Sequence, residues 1–133
     1  MRILKNDIRH CLARLPVDLA TIETALMIEL KLSHDESRVF ILIVKNGKMT
    51  PELICDKLSI SLLKARRAAD SLVKKGMLIE VSSGQYESLH PRFAASNGYR
   101  ILCEEEKIEL KKNVKIDNIG RALQEHYENA RTK

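Results

Sequence analysis

The sequence predicts a mainly α protein with one small β-hairpin, and three observations carry that expectation. Two helical patterns, Thr50 to Leu58 and Ser61 to Lys75, are separated only by Ser59-Ile60-Ser61, which is too short for anything but a tight turn. Gly76 then supplies the left-handed residue that stops a helix, and Met77-Leu78-Ile79-Glu80-Val81 alternates into a strand. Ser82-Ser83-Gly84 turns the chain back into Gln85-Tyr86-Glu87-Ser88-Leu89. This is the order of a winged helix-turn-helix, and apolar stripes before and after it add N- and C-terminal helical extensions.

Each element has a local cause. Ile3, Leu4, Ile8, Cys11, Leu12 and Leu15 make one stripe, so residues 2 to 15 are expected to form an amphipathic helix that Pro16 ends. Asp18 to Lys31 carries Leu19, Ile22, Leu26 and Leu30 at similar spacing. Ser33-His34-Asp35-Glu36 forms a capping box before the apolar run Val39 to Val44, the helix expected to be most buried, which ends at Asn46-Gly47. Lys48-Met49 is placed to add a short strand to the wing. Thr50 caps the next helix with Pro51 after it, where a missing N–H costs nothing. Ile60 is expected to plug the angle of the turn, and Ser61 to cap the helix after it. Beyond Leu89, Pro91 opens a helix running to Cys103 and the acidic Glu104-Glu105-Glu106, Lys107 to Lys115 contains a loop, and Asp117 is expected to cap a last helix. That helix carries Ile119, Ala122, Leu123, Tyr127 and Ala130 on one side.

Composition narrows the class. The chain has 133 residues, a formal charge of +5 and a pI near 9.2, enough for one compact core. The longest apolar run is six residues, Val39 to Val44, against the roughly 20 that a membrane span needs. No signal-peptide pattern is present, because Lys5, Asp7, Arg9 and Arg14 interrupt the N-terminal segment. A cytoplasmic, nucleoid-associated protein without membrane contact is therefore expected. Cys11, Cys55 and Cys103 are odd in number and far apart, which argues against a disulfide framework or a zinc ribbon. Neither a glycine-rich phosphate loop, an H-E-x-x-H sequence nor a nucleophile motif occurs, so neither an enzyme nor a cofactor is expected.

The charge is concentrated where it matters. From Ile60 to Leu78 there are five Lys or Arg against one Asp. Ala65, Ala68, Ala69, Leu72 and Val73 make the packing face of that helix, while Lys64, Arg66, Arg67, Asp70 and Lys74 fall mostly outside it. Arginine can take guanine through two hydrogen bonds and lysine neutralises phosphate when such a helix lies in the major groove. Candidate DNA-contacting residues are accordingly Ser61, Leu63, Lys64, Arg66, Arg67, Asp70 and Lys74, with Ser83, Gly84 and Gln85 at the wing. Arg66 and Arg67 point about 100° apart, so only one is expected to face the bases.

The segment from Leu30 to Leu89 resembles the DNA-binding domain of archaeal TrmB-type transcriptional regulators, which are similar to MarR-like winged helices. The resemblance lies in the leucine and small-polar lead-in, Glu36-Ser37-Arg38-Val39-Phe40, Lys45-Asn46-Gly47, and Leu72-Val73-Lys74-Lys75-Gly76-Met77-Leu78. It implies a winged helix that binds double-stranded DNA. Larger members carry a sugar-binding domain where this chain has residues 90–133, so sugar sensing does not carry over. Leu62 and Leu63 stand where such domains usually offer polar residues to DNA, although a leucine can touch a thymine methyl.

The expected organisation is residues 1–32 as N-terminal helices for dimerisation or packing, 33–89 as the winged helix-turn-helix, and 90–133 as C-terminal helices for dimerisation. The expected function is a homodimeric, sequence-specific transcriptional regulator. The alternatives are a winged-helix protein-interaction module of the transcription machinery or a non-specific DNA-binding protein.

Overall fold

A computed structural model describes residues 18–132; the helix expected over residues 2–15, and Cys11 with it, lie outside them. The described chain is mainly helical with one two-stranded antiparallel sheet. Its elements are α1 (Leu19–Glu29), α2 (His34–Asn46), α3 (Pro51–Leu58), α4 (Leu62–Lys74), β1 (Leu78–Val81), β2 (Gln85–Ser88), α5 (Pro91–Glu106) and α6 (Val114–Arg131).

Helix starts follow side-chain caps. The Asp18 carboxylate accepts from the Ala20 N–H at the head of α1. At α2 both halves of the capping box form: Ser33 Oγ accepts from Glu36 N at 3.0 Å, and Glu36 Oε1 accepts from Ser33 N at 2.7 Å. Thr50 caps α3 ahead of Pro51, and Ser61 caps α4 by accepting from Lys64 N at 3.1 Å. Ser59 ends α3 in the left-handed region with φ 56°, and Ile60 is half-buried against the core. Arg38 of α2 donates to the Leu58 carbonyl at 3.3 Å, tying the turn to the central helix.

The hairpin pairs Leu78 with Ser88 through Val81 with Gln85, and residues 82–84 make a single 3-10 turn between the strands. Met49 joins as an isolated bridge to Tyr86, exchanging both backbone hydrogen bonds at 2.8 and 3.0 Å. Gly76 has φ 74°, and Asn97 of α5 donates to its carbonyl at 2.9 Å, so the exit from α4 is held from outside.

A single hydrophobic cluster includes Ile22 and Leu26 of α1, Phe40, Ile43 and Val44 of α2, Ile54 of α3, Leu72 of α4, and Ile116, Ile119 and Leu123 of α6. Phe40 is fully buried at its centre. Helix α6 packs on α5, α2 and α1. Gly120 makes the α5 contact close: a Cβ there would lie 2.8 Å from the Arg92 Cα.

Two expectations need correction. The last helix starts at Val114, not at Asp117, because Asn113 Oδ1 accepts from both Lys115 N and Ile116 N one turn earlier. The stripe Ile119, Leu123 and Tyr127, expected to meet a second copy, is covered by the chain's own core: Ile119 and Leu123 are buried and Tyr127 packs beside them. The end of α6 is fixed there too. The Arg131 guanidinium donates to the carbonyls of Val44 and Ile43 at 2.9 and 3.2 Å, pairs with Glu87 of β2, and lies 3.8 Å from the centre of the Tyr127 ring.

The acidic end of α5 is compensated. Lys31 pairs with Glu106 at 2.8 Å and Arg100 with Glu104 at 3.1 Å, offsetting the unfavourable meeting of carboxylates with a helix C-terminus. No described helix is long and apolar enough to cross a membrane.

Candidate nucleic-acid interface

Helix α4 is amphipathic by construction. Ala65, Ala68, Ala69 and Leu72 are buried, and three alanines at this spacing let its backbone approach α2 and α3 closely. Leu63, Arg67, Asp70 and Lys74 fall at i, i+4, i+7 and i+11, a single line on the opposite side, and all four are exposed. Lys64 is exposed beside that line. Leu63 is 56% exposed and Leu62, off the line, 38%.

The two adjacent arginines differ as their helical phase requires. Arg67 stands on the outward line, and among the described residues no carboxylate lies within ion-pair distance of Lys64, Arg67 or Lys74. Arg66 turns about 100° away, toward α3, where its Nη2 comes 3.8 Å from Glu52 Oε2. Both partners of that pair are more than half exposed, so it orients Arg66 weakly and leaves it reachable.

Other candidate residues have partners inside the fold. The Ser61 hydroxyl is occupied as the α4 cap. Asp70 accepts from the Tyr86 hydroxyl, which joins the middle of α4 to β2. Burial, then the hydrogen bond and the charge of Asp70, push the Tyr86 phenol above its ordinary value, so it stays a donor at any physiological pH.

Behind the helix lies a polar cluster that local sequence patterns do not show. The Glu36 carboxylate, 10% exposed, accepts from Ser33 N, from the Ser71 hydroxyl and from Lys75 Nζ at 3.1 Å. One side chain thus caps α2 and fastens the last turn of α4 to it. Burial raises the Glu36 pKa, but the Ser33 N–H, the Ser71 hydroxyl and the Lys75 ammonium outweigh it and hold the carboxyl below its ordinary value. The capping box identifies Glu36 from sequence; nothing local identifies Ser71 or Lys75 as its partners. Glu52 and Tyr86 are likewise site-shaping residues that only the folded chain brings into place.

The hairpin after α4, expected to be the wing, is short and carries no basic tip. Ser82 to Gly84 form the turn; the Ser83 side chain lies outside the described set, Gly84 has φ 69° with open space around it, and Gln85 is half-buried. Ile79 and Glu80, on opposite faces of β1, are both exposed. Of the hairpin and α4, only α4 offers exposed cations to an anionic partner. Compared with protein-family models, curated proteins and solved structures, the chain gives no match.

Proposed function

We propose that the chain is a winged helix-turn-helix transcriptional regulator that binds double-stranded DNA in a sequence-specific manner, with α4 as the recognition helix in the major groove. The observation that carries this reading is the outward face of α4, on which Lys64, Arg67 and Lys74 stand exposed without a carboxylate partner among the described residues. Cations free of intramolecular pairing release counterions from phosphate on binding, which is the main source of affinity for a duplex. The bridge at Met49 and the hairpin after α4 support the winged arrangement, as does the resemblance of residues 30–89 to TrmB-type regulators.

In this reading Arg67 faces the bases and Arg66 the backbone. The DNA-binding form is a homodimer, which would place two recognition helices about 34 Å apart on a palindromic site. With the α6 stripe covered, an apolar surface among the described residues that suits a second copy lies at the C-terminal end of α1. There Ile28, Ile108, Leu110 and Val114 are each more than half exposed, and the Lys115–Glu29 and Lys31–Glu106 ion pairs gather their segments together.

The test is titration of the full chain into a labelled random-sequence duplex between about 50 and 200 mM salt. With Lys64, Arg66 and Lys74 on phosphates, the predicted slope of log affinity against log salt is about −2.7 per copy. No binding at the lower salt would remove the reading. A second reading, a protein-interaction module, is favoured by the exposed apolar residues Leu53, Leu62, Leu63 and Ile79 around the same surface. It predicts no duplex binding at either salt.

A further inference from the structure

We infer that Leu63 reads thymine through its 5-methyl group while Arg67, one turn further on, takes guanine, so that the preferred duplex carries the two bases no more than about two steps apart. This rests on the DNA-binding reading above.

The outward line of α4 begins with an apolar residue and continues with charged ones. Leu63 has 56% of its surface exposed, while Asp70 further along is engaged by Tyr86. The line therefore offers a partner Leu63 and Arg67 first, with Lys64 beside them and Lys74 two turns further along. A partner that fits must be anionic around the contact and apolar at one point within it. The major groove has this pattern: phosphates along both rims, hydrogen-bonding edges on its floor, and one apolar group, the C5-methyl of thymine. Leu62 sits off the line and is covered further, so the contact is assigned to Leu63.

Spacing sets the second half of the inference. Four residues of α-helix advance about 6 Å, and base pairs follow one another at about 3.4 Å. Leu63 and Arg67 thus lie over neighbouring or next-neighbouring pairs. A bidentate arginine contact takes the O6 and N7 of guanine, which places that guanine one or two steps from the thymine.

The experiment removes the methyl alone. A pool of random-sequence duplexes is selected on the full-length chain, and the best retained duplex is made twice, with thymine and with uracil throughout. Both are titrated with the wild-type chain, Leu63→Ala and Arg67→Ala. The expected result is an affinity about fourfold lower on the uracil duplex for each methyl contacted. That difference should vanish in Leu63→Ala and persist in Arg67→Ala. Leu63 is outside the core and alanine suits a helix, so circular dichroism of the variant should match the wild type. Equal wild-type affinity for both duplexes overturns the inference and leaves DNA binding standing, as does a thymine preference that survives Leu63→Ala. A pool from which nothing is retained overturns the DNA-binding reading and this inference with it.

Discussion

Along α4, the first two turns leave their polar groups to solvent, whereas the last two fasten theirs to the fold, Lys74 excepted. In the first half Lys64 and Arg67 extend into solvent and Leu63 is left uncovered, with only Arg66 leaning on an exposed carboxylate. In the second half Asp70 is held by Tyr86, Ser71 and Lys75 by Glu36, and the following Gly76 by Asn97. The six charged residues of the helix and its exit are thus two populations. Lys75 and Asp70 fasten the element to α2 and β2, and the others are free to meet a partner. In the DNA-binding reading proposed above, such a mount holds α4 where a small misplacement would remove bidentate contacts.

The contrast can be broken from either side. The largest expected effect belongs to the mount: Glu36→Ala removes the α2 cap and strands Ser71 and Lys75, and should lower the unfolding free energy by about 2–3 kcal/mol. Lys75 keeps partial access to water, which holds the figure at the low end of such losses. Urea denaturation measures it, and an unchanged midpoint would remove Glu36 from its role. Arg67→Ala should do the reverse, leaving stability within about 0.5 kcal/mol while weakening the best duplex by about 1–3 kcal/mol and random duplexes much less. Equal losses on both would assign Arg67 to the backbone.

Smaller effects sharpen the boundary between the halves. Tyr86→Phe deletes the donor to Asp70 and should cost about 1 kcal/mol of stability, readable by thermal melting against the wild type. Acid should act through Glu36. Its folded pKa is depressed, so its stabilisation is complete above the ordinary value of 4.5 and is lost as pH falls through the folded value. The wild-type chain should therefore lose more stability between neutral and acid pH than Glu36→Gln does. A parallel fall in both would locate the acid sensitivity elsewhere. Smallest of all, Lys74→Ala should lower the salt slope of duplex binding by about one unit and affect all sequences alike.

Helix and strand positions were legible because their causes are local. Ser33 with Glu36, Thr50 with Pro51, and Ser61 each announce a helix start within four residues, and each cap forms. Asp117 misleads for the same reason: it is a sound cap in isolation, but Asn113 reaches two N–H groups one turn earlier and sets the start of α6. Periodicity shows that Ile119, Leu123 and Tyr127 share a face, and not what covers it; packing against α1, α2 and α5 decides that. The basic face of α4 was visible in sequence, including the divergence of Arg66 from Arg67. Its division into mount and free surface was not, because Glu36 meets Ser71 and Lys75 across 35 and 39 residues.

The Arg131 latch sets an order of events during synthesis. It closes on carbonyls 87 and 88 residues earlier in the chain, and the same helix delivers Ile116, Ile119 and Leu123 to the core. A nascent chain that has released α2 but not α6 therefore lacks the packing that α6 gives to α2. Those contacts close only after the growing chain has passed residue 131, so this part of the core is the last to be covered.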